Sequence, residues 1–221
     1  MRLADVIGRF VGKVEIVLAG ADEDFRVAQD ALGEGDAMTA RAAAHHVLTK
    51  APGSPLGLAL LADACEAAHL DAELALTLEE LARRAPSRAE VWTRLARARR
   101  ATEASAEDVS DALVRALAVA ESGSDERLDA LVGLADLDLA RGDAARAELW
   151  LERAAPGSAG GDPEAVHGRA SEIAVRRAEA RLLRGDASGA KAILDVVETS
   201  ITDGRAALAR GRALSILGRP E

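Results

Sequence analysis

The sequence predicts an all-α protein, and three observations carry that expectation. Val and Ile are scattered among Ala, Leu, Arg and Glu, all strong helix formers, instead of alternating with polar residues. All six prolines (Pro52, Pro55, Pro86, Pro156, Pro163 and Pro220) fall between apolar-periodic segments, where a missing N–H and a fixed φ do no harm. The breaks also recur. Pro52 and Pro86 lie 34 residues apart, and each closes a stretch of two helical patterns joined by a short turn.

From the N-terminus, residues 3 to 18 place Leu3, Val6, Ile7, Phe10, Val11, Val14, Val17 and Leu18 at spacings of three and four, opposite Arg2, Asp5, Arg9 and Lys13. That is an amphipathic helix. It reads either as a cap over the first repeat or as a docking helix for a membrane surface or a second copy. Further on, Glu34-Gly35-Asp36-Ala37, Arg141-Gly142-Asp143-Ala144 and Arg184-Gly185-Asp186-Ala187 each place Gly where a helix must end and Asp where the next can be capped. Four residues after each Asp stands an alanine: Ala40, Ala147 or Ala190. At the far end Leu214, Ile216 and Leu217 complete a helix, and Gly218-Arg219-Pro220-Glu221 reads as the turn into another. That last helix is expected either to close the stack alone or to lead into further repeats of a longer protein.

The helices repeat a pattern as well. First helices read Trp92-x2-Leu95-Ala96-x2-Arg99, Leu58-x2-Leu61-Ala62-x2-Cys65 and Leu131-x2-Leu134-Ala135-x2-Asp138. Second helices read Ala147-x3-Leu151 and Ala190-x3-Leu194, with weaker versions at Ala40-x3-Ala44, Leu74-x3-Leu78 and Ala112-x3-Ala116. This resembles the tetratricopeptide repeat (TPR) family, whose units run W-x2-L-G-x2-Y, then A-x3-F and a closing Pro. The resemblance covers about residues 21 to 218. It departs from the pattern where aromatic slots hold Leu, Ala or Arg, and where extra residues fall around Thr102 to Ser110 and Pro156 to Pro163. It implies a right-handed α-solenoid of antiparallel helix pairs, about five repeats with a final unpaired helix. Residues 1–20 then form an N-terminal capping or docking helix, and 21–221 a TPR-like helical repeat domain. One helix pair cannot bury its own apolar stripe, so neighbours must stack and share a continuous core. Each buried Leu or Val contributes about 1.5–3 kcal/mol. The abundant Ala favours helix but adds little core, so stability is expected to be spread thinly and unfolding to be gradual.

Composition narrows the function. The 221 residues carry 28 basic and 37 acidic side chains, a formal charge of −9, so the surface repels phosphate backbones and nucleic acid is not expected as a partner. Cys65, the single cysteine, can make no internal disulfide and no paired-thiolate zinc site. Asp5, Arg9, Lys13 and Glu15 break any signal-peptide core, and no stretch is apolar enough to form a transmembrane segment; a cytoplasmic location is expected. No Gly-rich phosphate loop, H-E-x-x-H, G-x-S-x-G or Ca²⁺ loop occurs, so neither enzymatic chemistry nor a cofactor is expected. His45 and His46 are adjacent, about 100° apart on a helix, and poor joint metal ligands. His69 falls in a turn and His167 stands alone. Cys65 occupies a slot the family gives to a buried aromatic, which favours packing over nucleophilic work. The two Arg-Gly-Asp triplets occupy repeat turns, where Gly-Asp has a structural reason.

In TPR proteins the first helix of each unit lines the concave surface. The resemblance therefore implies partner-binding positions at Leu56, Ala59, Asp63 and Glu66, then Glu90, Thr93, Arg94, Arg97 and Arg100. Further along it implies Asp129, Val132, Asp136 and Leu139, then Glu172, Val175, Arg176 and Glu179. Charge alternates along this path. Residues 55–82 hold six acids and no Lys or Arg, 87–101 five arginines against one acid, and 121–138 six acids against one base. Arg94, Arg97 and Arg100 could grip carboxylates of an acidic peptide or a chain terminus. Alternatively, Arg94 pairs with Glu90 and the flanking acidic helices neutralise the rest. The family's clamp for chaperone C-termini uses asparagines and lysines, and this chain has no Asn, so that activity is disfavoured. The leading expectation is a scaffold or adaptor that binds a protein or peptide partner in the groove. The other reading is a segment of a larger assembly, self-associating through the N-terminal helix or the C-terminal face.

Overall fold

The computed structural model describes residues 21–154, 163–197 and 204–218, the side chains of 163–167 excepted. Within them lie eleven helices and no strand. The first helices of successive pairs are α1 (Ala21–Glu34), α3 (Pro55–Ala67), α5 (Ala89–Ala101), α7 (Asp125–Ala140), α9 (Pro163–Leu183) and α11 (Gly204–Ile216). The second helices are α2 (Ala37–Lys50), α4 (Asp71–Arg84), α6 (Ala106–Val119), α8 (Ala144–Ala154) and α10 (Ala187–Val196). The sequence readings at residues 1–20, around Pro156 to Pro163 and after Gly218 lie outside the described residues, as does the side chain of His167. The chain divides into two compact units, Met1–Arg84 and Ala85–Glu221.

The turn within each pair follows one construction. Gly35, Gly142 and Gly185 have φ of 81°, 77° and 80°, and Gly218 ends α11 the same way at 67°. The following amide reaches back to close the helix: Asp36 N–H to Ala31 O at 2.8 Å, Asp143 to Asp138 O at 2.8 Å, Asp186 to Arg181 O at 2.9 Å. Each Asp side chain then caps the next helix, accepting from Thr39 N, Arg146 N and Gly189 N at 3.1, 3.1 and 2.8 Å. Such a cap contributes about 1 kcal/mol. The same turn recurs at His69 and Glu103, which take φ of 55° and 56° without being glycine. Leu70 N–H bonds Cys65 O and Ala104 N–H bonds Arg99 O, both at 2.9 Å. Gly35, His69 and Glu103 therefore follow one another at intervals of 34 residues, the period that the prolines suggest. The later units are longer because α7 runs 16 residues and α9 runs 21, against 13 in α3 and α5. Around Thr102 to Ser110 the extra length is slight, since only Thr102–Ser105 separate α5 from α6.

Two to four residues between paired helices force them antiparallel. Within each unit every helix packs on the next, and first helices also pack on first helices: α1 on α3, then α5 on α7, α7 on α9 and α9 on α11. The cores have the matching composition. One joins Ala31 (α1), Ala40 (α2) and Ala64 (α3). Another joins Leu131 and Ala135 (α7), Ala147 and Leu151 (α8) and Ile173 (α9), and a third Val175 and Ala178 (α9), Ala190 and Leu194 (α10) and Ala209 and Ala213 (α11). Each core is thus shared by a pair and the helix after it, as a stacked repeat requires. Ala40, Ala147 and Ala190, equivalent in sequence, are all fully buried, because a larger side chain there would hold the helices apart. The architecture is an all-α solenoid of helix pairs.

Candidate recognition surface

In unit 2 the first helices α5, α7, α9 and α11 lie side by side, which gathers one side chain per helical turn from each onto a common face. A cleft of about 300 Å³ opens on this face across α5, α7 and α9. Its walls are Thr93, Arg97 and Arg100 from α5, Asp129, Val132 and Asp136 from α7, and Arg169, Glu172, Ile173 and Arg176 from α9. Leu113 of α6 closes the floor behind Gly133, where an added Cβ would stand 3.0 Å from the leucine methyls.

Asp136 is the hub. Arg176 grips it with two parallel bonds, Nε to Oδ1 at 2.9 Å and Nη2 to Oδ2 at 3.0 Å, and Arg205 of α11 adds Nη2 to Oδ1 at 2.9 Å. Arg205 in turn grips Glu179 through Nε at 2.8 Å and Nη2 at 2.7 Å, while Arg176 Nη1 meets Glu172 at 2.9 Å. Three first helices are thereby joined by guanidinium–carboxylate forks, the strongest geometry available to such pairs. Arg176 is only 8% exposed, so its charge depends on these partners. Burial alone would push the Asp136 carboxyl up, but the Arg176 hydrogen bonds and the charges of Arg176 and Arg205 outweigh it and hold it below its ordinary value. Arg205 is raised by its bonds to Glu179, against the cost of burial, and by Asp136.

The other end of the cleft is looser. Arg97 Nη2 stands 3.5 Å from Asp129 Oδ2 and Arg100 Nη2 3.5 Å from Gly133 O, both longer than a good hydrogen bond. Arg169 is turned toward Asp125 at 2.6 Å. Asp129 is raised, chiefly by desolvation against the cleft wall, with Arg97 and Arg169 opposing. Its carboxylate is therefore under-compensated although its side chain is 48% exposed.

Of the partner-binding positions read from the sequence, the cleft collects Arg97, Arg100, Asp129, Asp136 and Arg176. Glu179 lies next along the face with Arg205. Arg94 is half-buried on α5 and does not line the cleft, and Glu90 pairs with Arg88 at 3.5 Å. Asp63 and Glu66 stand on α3 in unit 1. Val175 is wholly buried core. Sequence reasoning missed Arg169 and Arg205. The spacing Arg169, Glu172, Arg176, Glu179 along α9 carries a signal for the first, since it alternates charge on one helix face.

Elsewhere the singled-out residues have structural roles. Cys65 is fully buried, and burial with the nearby Glu73 charge pushes its thiol up to about 11. His45 Nε2 bonds Glu73 at 2.7 Å, beside Arg41 Nε at 2.7 Å. Trp92 Nε1 donates to Pro86 O at 2.8 Å, and Trp150 Nε1 donates to the buried Asp138 carboxylate at 2.9 Å. Among the described residues no helix is long and apolar enough to cross a membrane, and no cluster of three potential metal ligands occurs.

Paired helices joined by a recurring turn, with first helices packed on first helices and cores shared between neighbours, define the tetratricopeptide-repeat fold. Solved structures agree. The MamA protein superposes with a TM-score of 0.67 over 90% of this chain and 92% of its own, at 16% identity. PilW, a type IV pilus biogenesis factor, gives 0.67 over 91% and 87% at 14% identity. Nearly identical TPR-like repeats from Podosopora anserina give 0.60 over 80% and 92% at 22% identity. No protein-family model and no curated protein matches the sequence.

Proposed function

We propose that the protein is an interaction scaffold that binds a partner protein or peptide along the first-helix face, with no chemistry of its own. The observation that carries this reading is the cleft across α5, α7 and α9. Its far wall is fixed by the Asp136–Arg176–Arg205–Glu179 forks, while Arg97 and Arg100 hold only long contacts. A preformed wall costs little ordering entropy on binding, and loosely held guanidiniums can exchange their contacts for a partner's carboxylates. The fold is one that typically mediates protein–protein interaction, which supports the reading. Residues 21–221 act in it as one repeat domain, with a cytoplasmic setting.

The test compares proteins crosslinked to the intact chain with those crosslinked to the Arg97→Glu/Arg100→Glu double variant. Both side chains are exposed, so the variant keeps its fold by circular dichroism. Partners lost from the variant, and lost from the intact chain as salt rises, support the face. An unchanged partner set removes it, and would favour assembly through the ends of the chain, the alternative that light scattering reads.

A further inference from the structure

Beyond the cleft, the same face holds a second recess of about 760 Å³ between α7, α9 and α11. Its floor is apolar, with Leu139 and Leu182 half-buried against the cores on either side. Its rim carries Leu183 at 53% and Ile216 at 61% exposure, apolar side chains turned to solvent.

The charge around this recess is one-sided. Both carboxylates in its wall, Asp136 and Glu179, are already taken by Arg176 and Arg205. Arg100 reaches only Gly133 O, at 3.5 Å, and Arg212 is exposed with no ion pair among the described residues. The recess therefore offers apolar contact flanked by positive charge that nothing among the described residues balances.

We propose that this recess seats an acidic amphipathic segment of a partner protein, its apolar side chains entering beside Leu182 and Ile216 and its carboxylates meeting Arg100 and Arg212. This deepens the scaffold reading and rests on it. Charge complementarity selects the occupant. The chain's own residues 3–18 have a suitable apolar stripe, but Arg9 and Lys13 offset Asp5 and Glu15 there, so they bring no net negative charge for the arginines to meet. An acidic helix presents anchors three and four residues apart on one side and carboxylates beside them, which is the pattern the recess and its rim require.

The experiment is fluorescence anisotropy with the full chain. The probe is a labelled peptide of about four helical turns, with leucines on one face and glutamates on the other. A counterpart carries lysine in place of each glutamate. The glutamate peptide is expected to bind, and the lysine peptide to bind at least about tenfold more weakly. Ile216→Ser, Leu183→Ser and Arg212→Glu, all at exposed positions and checked for helicity, should each weaken the glutamate peptide by about tenfold. The proposal is overturned if the intact chain ignores the glutamate peptide or binds both peptides alike. It is equally overturned if these variants change nothing, or if a peptide of residues 1–18 binds more tightly than the acidic one. A chain that ignores the peptide yet loses its cellular partners on Arg97→Glu/Arg100→Glu keeps the recognition face and loses only this seat.

Discussion

In unit 1, Arg41 of α2 is ion-paired with Glu73 of α4, which His45 of α2 also hydrogen-bonds, so this cluster joins second helices. In unit 2 ion pairs join first helices, with Arg97 on Asp129, Arg169 on Asp125, Arg176 on Asp136 and Arg205 on both Asp136 and Glu179. The repeat is the same, and the apolar frame of alanines and leucines is the same. What differs, between these clusters, is the face on which charge ties neighbouring repeats together. Because the apolar frame is common to both units, the ties that reinforce it can lie on either face, and in unit 2 their position makes the first-helix surface ionic.

The two units can be read apart, since Trp92 and Trp150 both lie in unit 2 and the fluorescence of the chain reports that unit alone. The largest effect is expected from Arg176→Ala, which strands the Asp136 carboxylate. Loss of one partner from a largely buried pair costs about 3 kcal/mol, and fluorescence-monitored urea unfolding should shift accordingly. Amide exchange should rise in α7, α9 and α11 and stay unchanged in α1 to α4. A rise in unit 1 as large as in unit 2 would break the comparison.

Next in size is a contrast in pH dependence between two carboxylates on α7. Asp136 titrates lower in the folded chain than in the unfolded one, so its contribution is complete at neutral pH. It is lost as pH falls below about 4 and on through the depressed folded value. Asp129 is shifted the other way, so the folded state favours its protonated form, and its ionisation opposes folding as pH rises. Asp136→Asn should therefore lower stability at neutral pH. Asp129→Asn should leave it equal or raise it by about 0.5 kcal/mol, a small figure because the side chain is half-exposed. Opposite signs sharpen the picture; two losses of similar size would defeat it.

In unit 1, Glu73→Gln should cost about 0.5–1 kcal/mol, visible by circular dichroism and silent in the tryptophan signal. The smallest effect tests the repeat itself. Glycine at His69 or Glu103, where φ is 55° and 56°, relieves a left-handed backbone and should raise the melting temperature, by about 1 kcal/mol in stability at most. An unaltered or lowered melting temperature would show that these turns are not equivalent to those at Gly35, Gly142 and Gly185.

Those two turns also mark how far the sequence could be read. The Gly-Asp turns and buried alanines were legible because glycine at a helix end and aspartate at a helix start each have a local physical reason. His69 was placed in a turn, but its left-handed backbone and the matching turn at Glu103 were not legible, since nothing in either residue announces that conformation and only the 34-residue interval points to it. On the candidate surface, Arg97, Arg100, Asp129, Asp136 and Arg176 followed from the family resemblance. Their pairing did not, because Arg176 meets Asp136 across 40 residues and only helix packing decides the match. Arg205 was missed because its helix is alanine-rich, with Ala209 and Ala213 as its buried residues and little apolar contrast to set its register.

The most direct test of the account is a double-mutant cycle between Asp136 and Arg176, using Asp136→Asn and Arg176→Met with fluorescence-monitored unfolding. A charge-tied first-helix face requires a coupling of about 1–3 kcal/mol. A coupling within about 0.3 kcal/mol of zero would mean that the alanine and leucine cores alone hold α7 against α9, and would contradict it.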